Sequence, residues 1–322
     1  MVGAAVASWQ TARMGAFVTD AGPHEWPTLT FAGVMSFGRA PYSRQAADAD
    51  IAILGVPLDL ATTNRSGARE GPNAIRAMSA VLSELKNFPF GFDPVKERRI
   101  IDCGDVYFDA NRADSFVPAV ATAASEIIAT GTRVLALGGD HFISYPLVRA
   151  AARAAGESLS LVHFDAHTDT WEDDGVRLDH GTQFRRLVNE GLIDPATSIQ
   201  IGIRTWNDDT MGFDIADAPW VHEHGNSATI ERALARVGNR PTYLTFDIDC
   251  IDPAFAPGTG TPVAGGLSTA QALALWRGIA PHLDLRGADV VEVAPAYDTA
   301  GVTALAAATL AHDLCCMWRL DS

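Results

Sequence analysis

Short apolar runs alternate with amphipathic stretches along most of this chain. Runs rich in β-branched and large apolar residues fall at Ile51 to Val56, Ile100 to Cys103, Arg133 to Leu137, Leu159 to Phe164, Ser198 to Ile203, Trp220 to His222, Thr242 to Phe246 and Val290 to Val293. Between most of them the apolar positions recur with helical spacing, at Asn73 to Lys86, Phe116 to Ala129, Ser144 to Ala155, Thr182 to Glu190, Ala228 to Val237 and Thr269 to Ala280. Near-continuous apolar strands separated by helices predict a mainly parallel sheet of about eight strands, covered on both faces. The fold class is therefore α/β, with three layers in the order α/β/α. The run from Val302 to Ala311 is interrupted by Thr303 and Thr309 and is too short to span a bilayer. It reads as a buried helix.

No repeat, low-complexity block or Ser-rich linker divides the series. One domain over residues 49–322 is expected, preceded by a Gly- and Pro-containing extension over residues 1–48.

In an open parallel sheet, function collects beyond the carboxyl ends of the strands. His163-Phe164-Asp165-Ala166-His167-Thr168-Asp169 follows one run, and Asp247-Ile248-Asp249-Cys250 follows another. Were these segments extended, alternate side chains would share a face, so Asp165, His167 and Asp169 would emerge together, as would Asp247 and Asp249. His141 in Gly138-Gly139-Asp140-His141, and Glu292, also lie just past apolar runs. The four aspartates and two imidazoles exceed what one divalent ion needs and suit two; without cations such a cluster would be strongly self-repelling. Cys250 would face away from Asp249 and reads as packing. The oxygen-dominated donor set favours manganese over a thiolate-bound ion.

Acidic residues outnumber Lys and Arg 39 to 24, for a formal charge of -15, which argues against a nucleic-acid surface and for a cationic small molecule. The four cysteines have neither disulfide-framework nor zinc spacing, and Val2 to Ala7 lacks a signal-peptide pattern. A cytoplasmic protein with no membrane partner is expected.

Taken together, five segments resemble the ureohydrolase family of arginases and agmatinases, and within it most resemble the agmatinases. They are Gly138-Gly139-Asp140-His141, Asp165 to Asp169, Asp179-His180-Gly181-Thr182-Gln183-Phe184, Asp247 to Asp249 continuing to Pro257-Gly258-Thr259-Gly260-Thr261-Pro262, and Glu292 to Asp298. The resemblance implies an arginase-like fold and two Mn2+ per subunit. His141 and Asp169 would bind one ion, His167 and Asp249 the other, with Asp165 and Asp247 bridging. It also implies cleavage of agmatine to putrescine and urea by a metal-bridging hydroxide, with guanidinobutyrase or another guanidino-acid ureohydrolase as the alternative. Asp169 would shuttle the proton, His180 would be the outer acid/base and a substrate-contacting residue, Glu292 would grip the guanidinium, and Thr261 would orient Glu292. A homo-oligomer, trimer or hexamer, is implied too. One departure from the agmatinase pattern is Gly301, where an acidic residue is common.

The segment Trp171-Glu172-Asp173-Asp174-Gly175 would form an acidic mouth that favours an amine tail, with Arg177 as the possible anion partner. A metallophosphoesterase is set aside, because its Gly-Asn-His motif is missing. A catalytically silent binding subunit would show a lost ligand, and all six are present.

Overall fold

The computed structural model describes residues 31–83 and 86–320. Eight strands form one sheet: β1 (Ile51–Val56), β2 (Ile100–Asp105), β3 (Arg133–Gly138), β4 (Ser160–Phe164), β5 (Ile199–Ile201), β6 (Asp214–Ala216), β7 (Pro241–Asp247) and β8 (Asp284–Val291). Their order is β2-β1-β3-β8-β7-β4-β5-β6, and every pairing is parallel.

Both faces of the sheet are buried, which is why the strands read as unbroken apolar runs rather than alternating ones. Ile51, Ile53, Leu135, Leu137, Val162, Phe164, Leu244 and Phe246 face one core with the helices Gly71–Ser79, Ala218–Val237, Thr269–Ile279 and Val302–Met317. Their neighbours Ala52, Leu54, Val56, Val134, Ala136, Leu161 and Tyr243 face a second core with the helices Phe116–Ile128, Ser144–Ala155 and Gln183–Asn189. The alternation along each strand thus sorts side chains into two cores and yields three layers.

One expected strand is a helix. Trp220 to His222 lie in the helix Ala218–Val237, whose start is fixed by Asp217: its carboxylate accepts the Trp220 N–H at 2.7 Å, and a proline occupies the first turn. The expected helix from Ala228 is the part of this element beyond a break at Gly225, where φ is +78°. The sixth strand is instead the three-residue β6, just upstream.

Part of the N-terminal stretch packs on the body. Phe37 is fully buried and its N–H donates to Asp102 at 2.8 Å, while Tyr42 bridges Asp102 beside β2. Among the described residues no helix is long and apolar enough to cross a membrane.

Candidate metal centre

The sheet order places β3, β8, β7 and β4 side by side, and their carboxyl ends deliver His141, Glu292, Asp247 with Asp249, and Asp165 with His167 and Asp169. All six sequence-expected ligands meet there. The local geometry differs from the extended segments expected. The chain turns immediately after Phe164, and Asp165 Oδ1 accepts the His167 N–H at 2.5 Å; Asp169 sits in the left-handed region at φ +53°. After β7 the segment Ile248–Cys250 coils into a 3-10 turn in which Asp247 Oδ1 accepts the Asp249 N–H at 2.8 Å. Asx turns, rather than strand alternation, bring these carboxylates to one point. Cys250 is buried in packing as expected, its thiol 3.5 Å from the Ile201 carbonyl.

His141 Nδ1 lies 3.0 Å from Asp165 Oδ2, 3.0 Å from Asp169 Oδ2 and 3.2 Å from Asp247 Oδ2. His167 Nδ1 lies 3.2 Å from Asp165 Oδ1 and 3.1 Å from Asp249 Oδ2. The two groups share Asp165, through Oδ2 in the first and Oδ1 in the second.

The protonation of His141 can be read from its other nitrogen. Nε2 is 2.9 Å from the Thr245 hydroxyl, whose own hydrogen is directed at Asp289 Oδ1. Thr245 therefore accepts from Nε2–H, which leaves the neutral imidazole with a lone pair at Nδ1. That nitrogen is buried and makes no hydrogen bond. A lone pair facing three carboxylate oxygens is repulsive unless a cation lies among them, so the donor set fits a divalent metal.

The electrostatics say the same. Burial, followed by Asp249 and Asp165, pushes the Asp247 carboxyl well above the usual range, and burial raises Asp249. Burial also acts to raise Asp165, but His163 and then His141 outweigh it and hold it well below that range. Burial pulls both candidate histidine ligands down, yet the acids override it. His141 rises well above its ordinary value, and His167, beside Asp249 and Asp165, to about 12. Without metal the cluster holds protons where cations belong.

Polar residues on three adjacent strands support the ligands. His163, Thr245 and Asp289 pair in register across β4, β7 and β8. Gln200 Nε2 donates to the Thr168 carbonyl at 2.7 Å and to His163 Nδ1 at 3.1 Å, so His163 Nε2–H donates to Asp165 Oδ2 at 2.7 Å. His163 thus holds a ligand and is not free to be one. Gln183 donates to Asp169, and Asp140 accepts the Ala61 and Phe142 N–H groups at 3.0 and 3.1 Å.

A cavity of about 260 Å³ opens over the cluster, walled by Thr63, His167, Asp169, Trp171, Asp179, His180, Gly181, Asp247 and Thr261. His180 Nε2 accepts the Thr63 N–H at 3.1 Å, so Nδ1–H donates to Glu292 Oε1 at 2.7 Å. Burial lowers His180, but Glu292 outweighs it and brings it to about 9. Its ring does not cap the helix Gln183–Asn189, whose N-cap residue Thr182 makes no side-chain cap bond.

Glu292 is fully buried, at φ +64°, and is not among the residues walling the cavity, whereas its partner His180 is. Its Oε1 also accepts the His141 N–H at 2.8 Å, while Oε2 is buried without a hydrogen-bond partner. Thr261 does not orient Glu292 through its hydroxyl: that group donates to Asp249 Oδ2 at 3.2 Å. The acidic mouth is mostly neutralised, since Asp173 pairs with Arg186 and Asp174 with Arg177. Arg177 is thereby occupied.

A sequence model of the Arginase family matches residues 49–316. The chain belongs to that family. An agmatinase from Chromobacterium violaceum is 53% identical over 291 residues, 90% of each chain. Among solved structures, a hypothetical agmatinase from Burkholderia thailandensis superposes with a TM-score of 0.88 at 59% identity, covering 90% of this chain and 92% of the other. The proclavaminate amidino hydrolase from Streptomyces clavuligerus superposes at 0.84 with 35% identity, covering 90% and 99%. Arginase-family membership accounts for the eight-stranded parallel sheet, and the metal-fitting cluster lies inside the matched region.

Proposed function

We propose that this chain is a manganese-dependent ureohydrolase that converts agmatine and water to putrescine and urea. The observation that carries this reading is the unpartnered His141 Nδ1 among three carboxylates, in a chain about half identical to an agmatinase. His141 and Asp169 would hold one Mn2+, His167 and Asp249 a second, with Asp165 and Asp247 between them. Such a pair of ions lowers the pKa of a shared water toward neutrality and so supplies a nucleophile strong enough for a delocalised guanidinium carbon.

The chain's own residues do the rest. Asp169, fixed by the Gln183 amide, carries a proton from the attacking water to the leaving nitrogen, which must depart as a neutral amine. His180, at the cavity wall and held by Glu292, exchanges protons with solvent. Glu292, buried beside the wall residue His180, keeps Oε2 unpartnered, the acceptor that the family resemblance assigns to the guanidinium N–H groups. Thr261 steadies Asp249. Agmatine is preferred to guanidinobutyrate because the wall contains three aspartates and no lysine or arginine, and Arg177 is paired with Asp174.

We assign residues 49–322 to this catalytic unit and 1–48 to an extension. A homo-oligomeric, trimeric or hexameric, cytoplasmic enzyme is the setting the family resemblance supports, and the four buried free thiols suit a reducing compartment. Urea release from agmatine, guanidinobutyrate and arginine in the presence of Mn2+ tests the assignment. Agmatine should be turned over with the highest kcat/KM; guanidinobutyrate as the better substrate would overturn the choice.

A further inference from the structure

The cavity wall joins residues of different burial and chemistry. Asp169 and Asp247 are buried, with 4% and 3% of their surface exposed, whereas His167, Trp171 and Asp179 are half-buried. Gly181 lies between Trp171 and Asp179. A Cβ built on Gly181 would sit 3.0 Å from Trp171 Cε3 and 3.4 Å from Asp179 Oδ1, so the indole edge and the carboxylate adjoin at one corner of the wall. The corner is braced by the backbone: Trp171 N–H donates to the Gly181 carbonyl at 3.0 Å, and Gly181 N–H donates to Asp179 Oδ1 at 3.0 Å. Oδ1 is thereby committed. Asp179 lines the cavity with acceptor capacity to spare, since a carboxylate has about four lone-pair sites.

A carboxylate beside an aromatic ring is the combination that recognises an alkylammonium group, through charge on one side and the ring quadrupole on the other. We infer that Trp171 and Asp179 bind the terminal amine of the substrate, and that Gly181 is side-chain-free so that the amine can lie between them. This inference rests on the proposed agmatine hydrolysis and assigns its tail specificity. Asp179 is thus a specificity-determining residue, remote from the bond that breaks. Asp173 and Asp174 of the Trp171 to Gly175 segment have no such role, because arginines neutralise both, and Glu172 is not among the residues walling the cavity.

Asp179→Asn keeps the acceptor for Gly181 N–H and removes the charge. On agmatine it should raise KM about 10-fold with kcat changed less than about 2-fold, the loss expected of one partly exposed charge contact. On butylguanidine, which has the same chain length and no amine, kcat/KM should stay the same. Trp171→Leu should behave alike. Putrescine binding, followed by calorimetry on the metal-loaded protein, should weaken by about the same factor in Asp179→Asn. Equal losses on both guanidines, or an unchanged agmatine KM and putrescine affinity, would overturn the inference. If the wild type turns over neither guanidine, the proposed reaction fails and putrescine binding alone decides. Weaker binding to Asp179→Asn than to wild type then upholds the amine corner, and equal or no binding to wild type removes it.

Discussion

His141 is the side chain on which the metal site turns. Its Nε2–H is fixed on Thr245, which is fixed on Asp289, so the lone pair at Nδ1 is set by a chain of donors running into the sheet. Because the metal-free cluster keeps His141 and His167 protonated well above neutrality, metal binding must displace those protons. Titrating Mn2+ at pH 7 by calorimetry in buffers of different ionisation enthalpy should therefore show net proton release on binding. The sign follows from the raised histidine values: the more acidic the solution, the more protons compete and the weaker the apparent affinity. His141→Ala and Asp247→Ala should each abolish urea production and weaken metal retention, measured by metal content after gel filtration; retained turnover in either would remove the ligand assignment. The six candidate ligands were legible as a cluster because carboxylates and imidazoles fall after apolar runs. Their supports were not. Thr245, Asp289, His163 and Gln200 stand inside strands, and only the oddity of a polar residue in a buried run marks them. Positive φ at Asp169 and Glu292, an uncommon conformation for residues with side chains, is likewise invisible in sequence. Gly301 is clearer: it takes φ +74° before the last helix and abuts Met78, where a Cβ would lie 3.1 Å from the sulfur, so an acidic side chain would be strained there.

Elements position these residues through close backbone contacts at the strand ends. A Cβ on Gly139 would lie 2.4 Å from Leu58 O, 2.5 Å from Leu58 N and 2.6 Å from Val56 O, all main-chain atoms that have little room to yield. Gly139 O also accepts the Glu292 N–H at 2.8 Å, so the end of β3 holds the start of the Glu292 turn. Gly139→Ala should cost about 1–3 kcal/mol, read from chemical denaturation, and should reduce kcat as Glu292 shifts. Full stability and turnover in that variant would contradict the packing described. Seven of the eight strands were readable from apolar runs because burial on both faces leaves no alternation to misread. β6 was missed since three residues give too little pattern, and the aromatic and β-branched cluster at Trp220 and Val221 drew the expectation into a helix that Asp217 and a first-turn proline start. The expected convergence of ligands was correct while its cause was not: strand alternation was replaced by Asx turns, which depend on side-chain to backbone bonds that periodicity does not report.

Across the whole chain, the sheet order is decisive. β8, last in sequence, inserts between β3 and β7, and this places Glu292 against His141 and His180 although they are 151 and 112 residues away. No local pattern predicts that insertion. Four buried aspartates, Asp165 and Asp169 beyond β4 and Asp247 and Asp249 at the end of β7, would make folding and metal binding interdependent. Stripping the metal should lower Tm, and Mn2+ at about 100 times its Kd should restore about 2.7 kcal/mol for each ion bound, as linkage requires. Identical melting of the stripped and loaded protein would contradict a cation within the cluster. The decisive experiment joins occupancy to chemistry: metal per chain and urea released from agmatine, measured together on chelator-stripped protein reloaded with Mn2+. Two ions per chain, with activity rising from none to full as they bind, is the predicted result. A fully loaded protein that forms no urea, or one that saturates at a single ion, would contradict a two-metal ureohydrolase.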